Sequence, residues 1–194
     1  MTDILAIAGG LRKNANSTIL LEEAIKGAES AGAAVEKITV RDLRISGCRE
    51  CHSCDATGEC IIKDEMQKIY SWLRSIKNII ISSPIFYYGI PSQLKAVIDR
   101  GQANYARKYL LKKPAADITE KRRGVFIAVA GSKGEKVFDG AVQTIGYFFD
   151  SFGIKYYSDL RVRSVDGAGK ISKYPEILQQ AFLLGRELAE QGKR

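Results

Sequence analysis

Apolar residues in this chain fall into short continuous runs separated by longer amphipathic stretches. Beside strand-length segments at 35–40 and 154–162, which polar residues interrupt, the runs at 3–8, 78–82 and 124–130 are too short for helices and almost continuously apolar. A parallel strand buried on both faces reads this way. Between them, 17–31 places Leu20, Leu21, Ala24, Ile25 and Ala28 on one stripe and stops at Gly32, as an amphipathic helix does. Further helical patterns begin at Asp64, with Met66, Ile69, Tyr70, Leu73 and Ile76, and cover 92–104, 137–152 and 175–191. Strands alternating with helices predict an α/β fold with a parallel sheet covered on both faces. Right-handed crossovers make a doubly wound, flavodoxin-like five-stranded sheet of order 2-1-3-4-5 the simplest solution. With no repeat or linker in sight, 1–194 reads as one domain, carrying a cysteine loop at 48–60 inserted after strand 2.

Consecutive parallel strands end on one side, so the loops after them share a sheet edge. Strand one runs into Gly9-Gly10-Leu11-Arg12-Lys13-Asn14-Ala15-Asn16-Ser17-Thr18. Unpaired amides at the start of the next helix, the Ser17 and Thr18 hydroxyls, Arg12, Asn16 and the open backbone at Gly10 together suit a phosphate dianion. An ordinary strand-to-helix turn capped by Asn16 or Ser17 explains the same residues. Neither the G-x-G-x-x-G nor the G-x4-G-K-[ST] pattern is present, so a mononucleotide suits the loop better than NAD or ATP. After strand three, Pro84, Ile85, Phe86, Tyr87, Tyr88 and Gly89 form an aromatic, proline-bounded loop. It offers either a flat wall for a planar ring system or a cap over the core. Gly131 and Ser132, after strand four, fall at the same edge. In this strand order the ligand crevice lies between strands one and three, where FMN would find phosphate contacts at one end and aromatic ones at the other.

All four cysteines of the chain lie in one short stretch, Cys48, Cys51, Cys54 and Cys60, with C-x2-C-x2-C-x5-C spacing. Closely spaced thiolates with a fourth slightly further on match ligation of a 4Fe-4S cluster. Zinc remains a competitor, although structural zinc sites usually draw two pairs of ligands from separate segments. A Cys-x-x-Cys redox pair without metal is the other. His52, the only histidine, is either a proton carrier or sulfur partner in this loop or an exposed side chain. Its solitude takes the usual general base from any serine triad.

Composition adds less. The formal net charge is +8 over 194 residues, with Arg107, Lys108, Lys112, Lys113, Lys121, Arg122 and Arg123 forming a basic loop against Asp117 and Glu120. That loop is either a solvated surface or a dock for an acidic electron carrier. Without stacking aromatics or a reading motif, a nucleic-acid partner is not expected. No apolar run approaches bilayer length, and no apolar leader is recognised. A cytoplasmic protein without membrane association is expected, where clustered thiols favour metal or redox chemistry over disulfides.

The segments Arg12-Lys13-Asn14 with Asn16-Ser17, the cysteine run with Gly58 followed by Lys63-Asp64-Glu65-Met66, and the stretch 83–100 resemble the NADPH-dependent FMN reductase superfamily. The compact cysteine run is similar to its iron–sulfur flavoprotein branch. That resemblance implies FMN, a 4Fe-4S cluster on the four cysteines, a ferredoxin-type electron carrier as partner, and a homodimer or homotetramer in which a cluster nears a neighbour's flavin. The usual Gly-Ser-Pro-Arg phosphate loop is here Gly9-Gly10-Leu11-Arg12, which removes a serine contact at Gly10. The expected function is electron transfer between such a carrier and FMN. The alternatives are a cluster-free NAD(P)H-dependent FMN or quinone reductase and a zinc-stabilised binding module.

Overall fold

The computed structural model describes residues 2–191. Five strands, β1 (Ile4–Ala8), β2 (Val35–Thr39), β3 (Asn78–Pro84), β4 (Arg123–Val129) and β5 (Lys155–Val162), form one parallel sheet of order β2-β1-β3-β4-β5. This is the doubly wound, flavodoxin-like arrangement that the pattern predicts. Side chains alternate across it. Leu5, Ile7, Ile79, Ile81, Phe126 and Ala128 face one core with helices α3 (Met66–Ser75), α4 (Ser92–Arg100) and α6 (Asp139–Ser151). Ile4, Ala6, Ala8, Ile80, Val125, Ile127 and Val129 face the other, with α1 (Asn16–Ser30) and α7 (Pro175–Gln191). Both faces being apolar explains why β1, β3 and β4 read as nearly continuous runs, whereas the edge strands β2 and β5 carry polar residues.

Two segments depart from the pattern. A short helix, α2 (Ser53–Thr57), lies inside the cysteine loop. The helix expected over 92–104 is instead α4, then α5 (Gln102–Tyr105), then a π-helical turn at Ala106–Leu110, so helical backbone enters the stretch expected to be a basic loop.

The basic loop is also corrected in its chemistry. Arg122 is buried, and its guanidinium donates to Ile76 O at 2.9 and 2.7 Å, to Phe152 O at 2.5 Å and to Leu73 O. Those carbonyls belong to the ends of α3 and α6, where the helix ladder leaves acceptors open and negative partial charge accumulates. Burial lowers the Arg122 pKa to about 10, against a small opposing pull from Asp117, so it stays charged at neutral pH. Arg123 lies over the Tyr157 ring and donates to Gln191 O. Arg107 reaches Pro114 O and Asp117, and Lys108 pairs with Asp150 at 3.0 Å. Lys112, Lys113 and Lys121 are the exposed cations of this stretch.

Candidate functional site

At the carboxyl ends of β1, β3 and β4, a cavity of about 90 Å³ is lined by Arg12, Asn16, Ser17, Pro84, Ile85, Phe86 and Gly131. The phosphate loop and the start of the aromatic loop therefore meet, as the topology requires. Helix α1 begins at Asn16 without a side-chain cap, so its first amides have no ladder partner. The Ser17 and Thr18 hydroxyls are buried and unpartnered. Leaving such groups unpaired costs about 1–3 kcal/mol each, which a phosphate oxygen would recover. A Cβ on Gly10 would stand 2.6 Å from Thr18 Oγ1 and 2.7 Å from Ala15 Cβ. Glycine at this position thus keeps the cradle open, and the serine usual in the family would collide here. These features fit a bound phosphate. The enclosed volume of about 90 Å³ falls short of the about 300–1,000 Å³ of a whole-cofactor pocket and has room for a phosphate group.

Asn16 has a different part from the one its loop position suggests. Its side-chain amide donates to Gly167 O at 2.9 Å, and its carbonyl accepts from the Ile171 amide at 3.2 Å. Its side chain straps the cradle to the segment after β5, leaving the backbone amide for an anion. Phe86, Tyr87 and Tyr88 are exposed, at 46, 104 and 58%, and so do not cap the core. Phe86 and Gly89 exchange both backbone hydrogen bonds, at 2.9 and 2.8 Å, around Tyr87 and Tyr88 with φ of 48° and 63°. This is a two-residue turn of the kind that Asn-Gly normally makes. Two tyrosines in left-handed backbone are strained, and both rings are exposed. Ser132 is exposed and does not line it; its carbonyl accepts from the Ser164 amide. Val165 and Asp166 do line it and were missed from the sequence. An Asp-Gly pair just past β5, at the same edge, was the available signal.

A second cavity, of about 380 Å³, is lined by all four of Cys48, Cys51, Cys54 and Cys60, with His52, Asp99, Arg100 and Gln102 among the walls. Cys54 and Cys60 are half-buried and packed on the core; Cys48 and Cys51 are exposed. Burial and then Asp55 push the Cys54 thiol up, whereas the Ser53 side chain and amide hold Cys51 down. Glu50 and His52 adopt left-handed backbone, φ 52° and 56°, and His52 is followed directly by helical Ser53. Such alternation turns successive N–H groups to one side, the nest that recurs at iron–sulfur sites. Asp55 hydrogen-bonds His52 Nδ1 at 2.9 Å and raises the imidazole's pKa.

The cysteine loop is clamped by the basic segment. Arg74 binds Glu59 at 2.6 Å, Arg107 approaches the same carboxylate at 3.7 Å, and Lys113 reaches Thr57 O. Gly58 has φ 76°, and a Cβ there would stand 3.0 Å from Arg107 Cβ, so conformation and space both require glycine. Among the described residues no group of three or more His, Cys, Asp or Glu side chains is placed to hold a metal ion. The four thiols line one cavity, and four cysteine sulfurs are a donor set that both iron–sulfur clusters and zinc use. The two cavities share no lining residue. Helix α4 runs between them, from Ser92 just past the aromatic loop to Arg100 in the cysteine cavity, a rise of about 12 Å.

A flavodoxin-like sheet with a phosphate cradle and exposed aromatics at its crevice defines an FMN-type flavoprotein. Residues 2–147 match the model of the NADPH-dependent FMN reductase family. An iron–sulfur flavoprotein of Archaeoglobus fulgidus is 34% identical over 78% of this chain and 73% of its own length. One from Methanocaldococcus jannaschii is 30% identical over 51% of each chain. In fold, the chain is similar to an NAD(P)H:quinone oxidoreductase from Methanothermobacter marburgensis, with TM-score 0.71, 16% identity and coverage of 97% and 96%. The chain belongs to the NADPH-dependent FMN reductase family, in its iron–sulfur flavoprotein branch. It is an FMN-dependent oxidoreductase. No helix among the described residues is long and apolar enough to cross a membrane.

Proposed function

We propose that the protein transfers electrons between a ferredoxin-type one-electron carrier and FMN, using a 4Fe-4S cluster held by Cys48, Cys51, Cys54 and Cys60. The observation that carries this reading is the convergence of all four cysteines on one cavity with a nest-forming backbone. When bound, a cluster handles one electron at a time and FMN one or two, so the pair links single-electron carriers to two-electron chemistry. Ser17, Thr18 and the first amides of α1 bind the FMN phosphate, Arg12 completes its charge, and Phe86, Tyr87 and Tyr88 stand beside the ring system. Gly131 keeps the far wall low. The family resemblance implies a homodimer or homotetramer in which one chain's cysteine loop meets a neighbour's crevice, and the two cavities share no lining residue within one chain. Lys112, Lys113 and Lys121 are exposed at the surface and would favour an acidic carrier.

Anaerobic purification with a visible spectrum and an iron and sulfide count tests this. A flavin spectrum overlaid with broad brown absorption, lost together with iron in Cys54→Ala, is the expected result. Full carrier-driven FMN reduction by an iron-free Cys54→Ala protein would overturn it in favour of a cluster-free reductase.

A further inference from the structure

Arg100 ends α4 with 1% of its surface exposed, yet it lines the cavity that the four cysteines share. Its fork spans the neck of the cysteine loop. Nη1 donates to Ser46 O at 2.9 Å, two residues before Cys48, and Nη2 to Ile62 O at 3.1 Å, two residues after Cys60. The Asp64 carboxylate accepts from both nitrogens, at 2.8 and 3.2 Å, and from the Ser46 amide at 3.0 Å. One buried ion pair thus ties the two stems together. Asp64 is absent from the cavity lining, so the cationic end of the pair is the one that meets the cysteines.

The clasp uses both terminal nitrogens and leaves Nε–H buried without an acceptor. An unmade bond of that kind costs about 1–3 kcal/mol, more for a charged group, and fastening the loop gives no reason for it. A second donor lies alongside. The Tyr70 hydroxyl, buried in the core on which Cys60 packs, donates to Arg100 O at 2.5 Å.

We infer that Arg100 is a positioning residue of the cysteine site: it closes the loop over its two stems and, held through its carbonyl by Tyr70, presents an uncommitted Nε–H and a buried positive charge to the cavity that the cysteines share. This rests on the cluster reading above. Donors and positive charge beside the sulfurs stabilise the more negative, reduced state of an iron–sulfur site. Removing them therefore shifts its equilibrium toward the oxidised state.

The test is spectroelectrochemical titration of the parent, Arg100→Lys and Tyr70→Phe proteins after anaerobic reconstitution with iron and sulfide, with metal content measured in each. Lysine retains charge for Asp64 but has neither the fork nor the Nε–H. At a fixed potential the oxidised-to-reduced ratio is expected to rise about tenfold in Arg100→Lys, equivalent to about 59 mV for a one-electron couple. Tyr70→Phe is expected to shift in the same direction by less. A loaded Arg100→Lys protein with the parent's potential overturns the inference while leaving the cluster reading intact. Should Arg100→Lys not fold, an unshifted Tyr70→Phe overturns it equally. A parent that takes up no iron removes the cluster reading and this inference with it.

Discussion

Replacing Arg122 with methionine separates a structural cation from a docking one. The variant keeps an unbranched stem in the core and removes the guanidinium from the carbonyls of Leu73, Ile76 and Phe152. Each buried acceptor left without this donor costs about 1–3 kcal/mol. Against their sum stands relief from burying a cation, several kcal/mol in real proteins. The balance is a loss of about 3 kcal/mol. For a chain of this size each kcal/mol moves Tm by about 2–4 °C, so calorimetry should show a fall of about 6–12 °C. Arg122→Lys should lie between, since it keeps the charge at the two helix ends but loses the planar fork. Lys112→Met and Lys113→Met, made at exposed sites, should stay within about 0.5 kcal/mol of the parent. Salt should barely alter the Arg122 effect, because a buried group is poorly screened. A Tm within about 2 °C of the parent, or a loss that vanishes in high salt, would refute the assignment and return Arg122 to the surface.

Other outcomes follow from the two cavities. Ser17→Ala with Thr18→Ala should weaken FMN binding by about 100-fold, from two lost bonds to a charged group of about 1.5 kcal/mol each; flavin fluorescence titration measures it, and apo-protein stability should not fall because neither hydroxyl has a partner in the fold. Gly10→Ser, which restores the residue usual in the family, should weaken FMN retention rather than improve it, given the 2.6 Å approach to Thr18 Oγ1; equal or tighter binding in the same titration would contradict the cradle geometry. Burial raises the Asp64 pKa, but hydrogen bonds from Arg100, Ser46 and Met66 outweigh it and the net shift is downward. Its stabilising contribution is therefore complete above the unfolded value of about 3.9 and lost as pH falls through the lower folded value; urea midpoints should show this acid loss in the parent and not in Asp64→Asn.

The sheet was legible because strands buried on both faces must be apolar at every position, and crossover handedness then leaves one simple order. The meeting of Ser17 with Phe86 and Gly131 was legible for the same reason, since topology alone brings those loop starts together. Arg122 was not legible. A run of cations looks uniform in one dimension, and only the tertiary fold decides which of them meets two helix ends. The second part of Asn16 was not legible: it lines the cavity, but nothing local shows that its side chain also straps a segment about 150 residues away. Tyr87-Tyr88 carries none of the usual turn residues, so the local code gave no sign of left-handed backbone there.

The strap has a consequence for the order of events in the cell. Asn16 emerges early in synthesis, whereas Gly167 and Ile171 follow it by 151 and 155 residues. At about 5–20 residues per second, that gap lasts roughly 8–30 s, during which β1 and the start of α1 exist without their anchor. A nascent chain halted before Gly167 would therefore have the cradle's hydroxyls but not its fastening. The fastening residues Gly167 and Ile171 lie beyond residues 2–147, the part that matches the family model.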